Sequence, residues 1–343
     1  MTHDPESTTV LVTGASGFIG SHCVDQLLQS GYAVRGTLRD PAREGPLRQA
    51  LVKDRGNDRR LEFVLADLVR DEGWDEAAKG CEFVIHVASP YPPGAPKHED
   101  ELIVPARDGT LRVLKAAAKS GTRRVVITSS LAAIIGGHAK DYMTFDENDW
   151  TNLDRENRAY YKSKTLAEKA AWEFAADNLE IEVTVINPGG VLGPSVDGRT
   201  FSTSGELVRL LMAREVPGTP QVKVQLVDVR DVAAAHLKAM VSEAAAGRRY
   251  IAVADGRWSR DIAWVLKNEF TDRGYRIPTF QVPNLMVRVL AIFNSTISLV
   301  VNDLGWDYAV STERIESELN WKGRDPDETI IQTAESMIDH GIV

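Results

Sequence analysis

Cysteine is almost absent from this sequence: among 343 residues, only Cys23 and Cys81 occur. Two isolated thiols supply neither a disulfide framework nor a cysteine metal site, and such sparse use of cysteine fits the reducing cytoplasm. The seven histidines lack the spacing of a metal site as well. We therefore expect a cytoplasmic protein without a metal.

A basic surplus and a long apolar run are also lacking. The chain has 40 Lys and Arg against 49 Asp and Glu, a formal net charge of −9. Nucleic acids and anionic membranes bind basic surfaces, so we expect neither as a partner. The most apolar late stretch, 285–301, contains Arg288 and Asn294 and is short for a membrane span. A small molecule remains the expected partner.

Short apolar and β-branched runs alternate with helical stretches along the chain. The predicted strands are 9–13, 33–38, 61–66, 83–88, 124–129 and 182–187. Continuous apolar strands separated by helices are typical of an α/β fold, a Rossmann-type doubly wound parallel sheet. Two later predicted strands, 222–227 and 250–253, bracket a helix at 229–241 and are expected to return to the same sheet.

This pattern predicts two intertwined parts. Residues 1–188 with 222–254 form the expected nucleotide-binding domain. Residues 189–221 with 255–343 contain prolines, aromatics and helical stretches, and form the expected smaller substrate lobe.

The stretch TGASGFIG, residues 13–20, lies between the first predicted strand and helix. Its three glycines, Gly14, Gly17 and Gly20, allow a tight turn and let a pyrophosphate approach the free N–H groups of the helix. The spacing differs from the commoner G-x-G-x-x-G fingerprint, and glycines also serve ordinary turns. We favour a dinucleotide site because strand and helix flank the motif.

The end of the second strand bears on the choice of dinucleotide. Arg39 would bind the 2′-phosphate of NADP, whereas Asp40 would bind the ribose 2′-hydroxyl of NAD. We favour Arg39, with Arg43 as a possible second cation, because Asp40 precedes a proline and could start the next turn. After the third strand, Asp67 and Leu68 are expected beside the adenine, although Asp67 could instead cap a helix.

The stretch YYKSKTLAE, residues 160–168, provides candidate catalytic groups. Tyr160 and Lys164 are four residues apart on a predicted helix and share one face. A lysine ammonium stabilises a nearby phenolate and so suits a tyrosine to proton transfer near neutral pH. The competing Tyr161 has the uncharged Thr165 at the same spacing.

Two hydroxyls, Ser129 and Ser130, end the fifth predicted strand, where either could meet a substrate carbonyl. Apart from one another, the serine pair and the Tyr-x-x-x-Lys spacing are common. When they occur in this order on one Rossmann-type fold, they indicate a catalytic site far more specifically.

The chain resembles the extended short-chain dehydrogenase/reductases, and among them the dihydroflavonol-4-reductase-like group that includes cinnamoyl-CoA reductases and microbial carbonyl reductases. The likeness spans nearly the whole chain and is carried by VTGASGFIGSH, GTLRDP, VIHVASP, VVITSS, YYKSKTLAEKAAW, INPGGVLGP and STERIESELNW. It implies NADP(H) as cofactor, Tyr160 as proton donor, Lys164 on the nicotinamide ribose, and Ser130 as the catalytic serine.

The same resemblance implies a full set of cofactor contacts, including a backbone wall beside the nicotinamide. The expected residues are Gly14, Ser16, Gly17, Phe18, Ile19, Gly20, Arg39, Asp67, Leu68, Val87, Ala88, Ser89, Thr128, Tyr160, Lys164, Pro188, Gly189 and Val191.

Two departures from this group bear on the substrate. Ile135 stands where plant dihydroflavonol reductases have an asparagine or aspartate that binds flavonoid hydroxyls. The sequence NRAYY replaces the NWYCY-like run of cinnamoyl-CoA reductases. Both make a flavonoid or a CoA thioester a doubtful substrate.

The predicted substrate pocket is mostly apolar and suits a small aldehyde or ketone. Its expected residues are Ser89, Tyr91, Ile134, Ile135, Leu192 and Ser204. Each could equally serve ordinary packing. His86 lies within an apolar strand and is predicted to be a core histidine.

These features favour an NADPH-dependent carbonyl reductase. The alternatives are an NAD-dependent nucleotide-sugar epimerase or dehydratase, against which Arg39 and the Leu131-Ala132 pair argue, and a non-catalytic NADP sensor. A monomer and a homodimer paired through helices at 101–119 and 159–176 are both open.

Overall fold

The structure is a computed structural model that describes residues 4–52, 58–90, 98–141, 144–156, 158–293, 295–298 and 300–343. In chain order its strands and helices are β1 (Thr9–Thr13), α1 (Phe18–Gln29), β2 (Ala33–Leu38), α2 (Glu44–Val52), β3 (Leu61–Leu65), α3 (Trp74–Ala78), β4 (Phe83–His86), α4 (Asp100–Lys119), β5 (Arg124–Thr128), β6 (Thr144–Phe145), α5 (Ala159–Asp177), β7 (Glu182–Pro188), β8 (Gly190–Leu192), α6 (Gly205–Met212), β9 (Lys223–Asp228), α7 (Val229–Val241), β10 (Arg249–Ala252), β11 (Asp255–Trp258), α8 (Ser259–Phe270), α9 (Asn284–Ala291), α10 (Ser295–Ser298), β12 (Ala309–Val310), α11 (Glu313–Leu319) and α12 (Pro326–Asp339).

Seven parallel strands form one sheet in the order β10-β7-β5-β4-β1-β2-β3. This confirms the predicted doubly wound α/β fold. The central strands β1, β4 and β5 are buried along nearly their whole length because helices cover both faces, and all four residues of β4 are buried. The strand order reverses at β1, between β4 and β2, and ligands of such sheets bind at the carboxyl ends beside this reversal.

Two helical layers cover the sheet. On one face α1 packs against α7, with Leu27 and Val232 in a shared core. On the other face α4 packs against α5, with Leu114 and Ala171 in a second core. The two helices that the sequence offers for a dimer contact therefore pack together within one chain.

The strand predicted at 222–227 does not join the large sheet. It is β9, which lies between β8 and β11 in a separate three-stranded sheet, parallel to β8 and antiparallel to β11. The chain approaches β9 directly after β7 because Gly189 has no side chain: a Cβ there would lie 2.2 Å from the Gln225 carbonyl oxygen. The predicted return to the large sheet is thus wrong for β9 and right for β10, which pairs with β7.

The apolar stretch at 285–301 contains α9 and α10. Val287 of α9 is buried in a small core with Val222, Val282 and Leu304. Among the described residues, no helix combines the length and the apolar character that crossing a bilayer requires.

The apolar interior of the large sheet predicts how stability depends on β4. Phe83 is 1% exposed, so we expect Phe83→Ala to lower the free energy of unfolding by about 3–5 kcal/mol. Phe280→Ala is the matched control, because Phe280 is 62% exposed and leaves no cavity. Urea unfolding followed by circular dichroism measures both, and equal losses would contradict this account of the core.

Candidate active site

A cleft of about 710 Å³ opens at the carboxyl ends of the parallel strands. Every residue of the predicted cofactor site lines it except Gly20, which lies behind the glycine turn. The cleft is also lined by residues outside that predicted set, namely Thr37, Asp40, Arg43, Ala66, Val69, Trp74, Pro90, Ser129, Ser130, Phe201, Ser202, Thr203 and Ser204. The stretch 201–203 carries no motif of its own, so nothing in the sequence pointed to it.

The glycine turn forms a cradle of bare backbone. Gly14 has φ +67°, and a Cβ there would lie 3.0 Å from Ala88 Cα. Gly17 begins α1 with no side-chain cap, so the first N–H groups of this 12-residue helix are open to an anion. A Cβ on Gly20 would lie 2.2 Å from the Gly14 carbonyl oxygen, so only glycine keeps the turn this tight. The cradle therefore fits a pyrophosphate.

The end of β2 presents charge at the far end of the cleft. Arg39 is exposed and lines the cleft. Asp40 accepts a 2.9 Å hydrogen bond from the Ala42 N–H and so caps the next turn. Arg43 pairs with Asp197, with Nη2 and Oδ2 2.6 Å apart. Beside them, Asp67 accepts the Val69 N–H at 3.2 Å and also caps a turn.

The two serines after β5 have different surroundings. Ser129 is buried, and its hydroxyl donates to Glu168 Oε2 at 2.5 Å. Ser130 is half-buried at the cleft, and its Oγ accepts the Ala132 N–H at 3.1 Å. Because the Ser130 hydroxyl is the acceptor in this contact, its own proton remains available for donation to another acceptor.

The adjacent tyrosines of α5 also differ. Tyr160 is 36% exposed and lines the cleft, and its ring meets that of Tyr161 edge-on. Tyr161 lies against the core, with the Arg158 guanidinium 3.6 Å from its ring centroid. Burial raises the pKa of Tyr161 well above 10, so its phenol stays protonated.

Lys164 lies one helical turn beyond Tyr160 and lines the same cleft. Within the described ranges, no hydrogen bond or ion pair joins its ammonium to another residue. Burial lowers the pKa of Lys164 to about 8, and the Glu168 carboxylate opposes this shift. The group is therefore mostly charged at neutral pH, and its place in the cleft fits contact with a ligand hydroxyl.

His86 lies beneath Lys164 and is a core histidine, as the sequence indicates. Its Nδ1 is 2.8 Å from Thr13 Oγ1, and the side chain is 2% exposed. Burial, and to a lesser extent the Lys164 charge, lowers the pKa of His86 to about 3. The described residues contain no cluster of histidine, cysteine and carboxylate groups suited to a metal ion.

The predicted substrate pocket is only partly assembled. Ser89 and Ser204 line the cleft. Tyr91 lies outside the described residues. Ile134, Ile135 and Leu192 do not line the cleft; they are buried in apolar cores, the isoleucines with Phe145 and Trp306. Apolar residues after a strand suit either a pocket or a core, and here packing against residues distant in sequence covers them.

The fold and the Tyr160/Lys164 pair define a dinucleotide-dependent enzyme of the extended short-chain dehydrogenase/reductase type, which confirms the resemblance seen in the sequence. Residues 10–252 match the model of the NAD dependent epimerase/dehydratase family, and the chain belongs to this family.

Similar proteins include several reductases. Tetraketide alpha-pyrone reductase 1 from Arabidopsis thaliana is 38% identical over 250 residues, 71% of this chain and 76% of that protein. Dihydroflavonol 4-reductase from Zea mays is 34% identical over 285 residues, 81% and 77% of the two chains. The crystal structure of yeast methylglyoxal/isovaleraldehyde reductase Gre2 with NADPH is 27% identical, with a TM-score of 0.80 over 98% of this chain and 100% of that one.

The contact between Gly20 and Gly14 generates a prediction for ligand binding. Gly20→Ala must push the start of α1 away from the turn, so we expect the affinity for ADP-ribose to fall at least about tenfold. Isothermal titration calorimetry measures this. Gly45→Ala on α2 is the control, because a Cβ there meets nothing within 4 Å. Wild-type affinity in a folded Gly20→Ala protein would exclude the turn as the pyrophosphate site.

Proposed function

We propose that this chain is an NADPH-dependent carbonyl reductase that converts a small, largely apolar aldehyde or ketone to the alcohol. The observation that carries the proposal is that Ser130, Tyr160 and Lys164 line one cleft together with the glycine turn. The chain is an oxidoreductase, and the related Gre2 structure, titled as a methylglyoxal/isovaleraldehyde reductase with NADPH, supports both the cofactor and the reaction class.

In this proposal the cleft holds NADP(H) along its length. The glycine turn holds the pyrophosphate, Arg39 the 2′-phosphate, and Asp67 with Leu68 the adenine end. The remaining nicotinamide contacts come from Val87, Ala88, Ser89, Thr128, Pro188, Gly189 and Val191. When bound, NADPH supplies the hydride to the carbonyl carbon.

The chain's own residues stabilise and protonate the carbonyl oxygen. Ser130 donates a hydrogen bond to this oxygen and stabilises the negative charge that develops there. Tyr160 delivers the proton that completes the alcohol. Lys164 holds the nicotinamide ribose, and its ammonium stabilises the resulting phenolate. This ammonium persists below about pH 8, the value to which burial brings its pKa.

The charges along the cleft support an uncharged substrate. Of the residues that line it, the basic ones are Arg39 and Arg43 at the adenine end, and Lys164 at the catalytic end. In this proposal Lys164 contacts the ribose. Among the described residues that line the cleft, no second cation lies at the catalytic end to bind a substrate carboxylate or phosphate. Small-molecule sites of this kind are mostly apolar with a few placed polar groups.

The wider setting remains part of the proposal. Residues 1–188 with 222–254 are proposed as the cofactor-binding part and 189–221 with 255–343 as the substrate part. The two parts are intertwined, since β9 pairs with β8 and β11 of the second part and Gly189 and Val191 line the cofactor cleft. The enzyme works in the cytoplasm as a monomer or homodimer. Both cysteines are free thiols buried in the core, which suits a reducing compartment.

The role of Tyr160 predicts the effect of removing its hydroxyl. We expect Tyr160→Phe to lower kcat for carbonyl reduction by about 10²–10⁴-fold, because the proton donor is lost, with little change in NADPH affinity. Absorbance at 340 nm with a panel of aldehydes, ketones and diketones measures turnover. Tyr161→Phe removes the same atom from the buried neighbour and should keep near-normal turnover. Unchanged turnover in Tyr160→Phe would refute the assignment.

The proposed contact of Arg39 with the 2′-phosphate predicts a preference for NADPH over NADH. We expect Arg39→Gln to raise the KM for NADPH by about 10–100-fold, because charge-assisted bonds to the 2′-phosphate are lost. The KM for NADH, which lacks this phosphate, should hardly change and serves as the internal control. Equal changes for both cofactors would remove Arg39 from the phosphate site. Purified protein that carries tightly bound NAD would instead favour the epimerase alternative.

A further inference from the structure

Glu168 occupies a buried position that the proposed chemistry leaves unused. It lies on α5, one turn beyond Lys164 and two beyond Tyr160, and it is 2% exposed. Residues four apart on a helix share one face, so this carboxylate follows the two functional side chains along a single stripe. A buried carboxylate is costly unless it is paired and hydrogen-bonded.

Four donors surround this carboxylate. Oε2 accepts the Ser129 hydroxyl at 2.5 Å and the Asn187 side-chain amide at 2.9 Å. Oε1 accepts Arg249 Nε at 2.5 Å and Trp172 Nε1 at 3.3 Å. Of these donors, only Trp172 belongs to α5. Glu168 thus links its own helix to the carboxyl end of β5 and to β7 and β10.

These contacts reach the backbone of Ser130. Ser129 precedes it directly, and the amide group of Asn187 that contacts Glu168 also donates to the Ser130 carbonyl oxygen at 3.2 Å. A single carboxylate therefore constrains the turn on which Ser130 stands from two directions.

The same carboxylate and Lys164 line one small pocket beside the cleft. Ser129 also lines this pocket, which has a volume of about 20 Å³. Among the described residues, His86 also borders it from β4 and is neutral above about pH 3, whereas Arg249 from β10 meets Glu168 through the ion pair. Tyr160 lies one turn away on the cleft side. Of these titratable side chains around the pocket, Glu168 is the one with a negative charge.

The network is not fully satisfied. Arg249 Nη2 and Asn187 Oδ1 are buried and have no hydrogen-bond partner among the described residues. A buried ion pair of this kind is often no more stable than apolar side chains of similar volume. Because the network lies beside the proposed reacting groups, a role in the site accounts for its polar character.

We propose that Glu168 is a positioning residue: its carboxylate holds the turn that carries Ser130 against the helix that carries Lys164. The same carboxylate also shares a pocket with the Lys164 ammonium and stabilises its charge. The inference rests on the proposed function, because it assigns Glu168 to the geometry of that catalytic site.

The variant Glu168→Gln tests both effects, since it keeps the shape and removes the charge. We expect kcat to fall by about 10–100-fold through misplacement of the reacting groups. Competitive labelling of amines with fluorodinitrobenzene, read by mass spectrometry of the Lys164 peptide, follows the free amine against pH without cofactor or substrate. Its midpoint should move to lower pH, because the carboxylate that favours the ammonium is gone.

The control is Glu173→Gln, which neutralises an exposed carboxylate on the same helix and should change neither readout. Wild-type kcat together with a wild-type labelling midpoint in folded Glu168→Gln would overturn the proposal. If Glu168→Gln does not fold, Ser129→Ala removes one of the two links to the turn. It should lower kcat at an unchanged midpoint, and unchanged kcat would overturn the positioning role.

Failure of the proposed function can be distinguished from failure of the inference about Glu168. A wild-type protein that reduces no carbonyl would refute the reductase, while the labelling midpoints of wild type and Glu168→Gln would still show whether this carboxylate sustains the Lys164 ammonium.

Discussion

The structure depends on the burial of both faces of a parallel sheet. A sheet covered by helices on each side has no exposed face on which polar side chains could meet a ligand. The strand ends are the remaining place, and at the carboxyl ends the chain turns into helices whose first N–H groups are open. The glycine turn, the two serines after β5 and the start of α5 therefore converge on one cleft.

The same burial sets the electrostatics of the site. Lys164 and His86 lie on neighbouring elements, and the interior weakens the charged form of each, with pKa values of about 8 and about 3. The histidine is therefore neutral near neutral pH, and its Nδ1 forms a hydrogen bond with Thr13 Oγ1. The lysine keeps its charge near neutrality because its ordinary pKa is far higher than that of histidine, and the Glu168 carboxylate opposes the lowering of that pKa by burial. Two basic groups in one apolar setting thus reach opposite states.

The sequence predicts what is local. The large-sheet strands, the turn at Gly14 and the shared face of Tyr160 and Lys164 each follow from a short pattern whose period or spacing has one physical meaning. Both serines after β5 line the cleft, but Ser129 is buried and bonded to Glu168 whereas Ser130 is half-buried, a difference that two identical side chains cannot reveal by themselves.

What the sequence does not predict depends on contacts between distant segments. Strand β9 has the composition of a large-sheet strand, but the bare backbone after β7 lets it pair with β8 and β11 instead. Ile134 and Ile135 are covered by side chains some 170 residues later, near Trp306, as shown by their common core. Three of the four donors around Glu168 come from the separate segments at β5, β7 and β10, and no spacing in the sequence connects them.

The placement of the two cysteines has a chemical consequence for the proposed reduction of an aldehyde. An aldehyde is an electrophile, and a cysteine thiolate is a nucleophile that adds to it. Burial raises the pKa of Cys81 to about 11 and that of the fully enclosed Cys23 further. Both sulfur atoms thus remain protonated and shielded at neutral pH. Neither cysteine therefore offers a thiolate that could add to a carbonyl compound bound in the cleft.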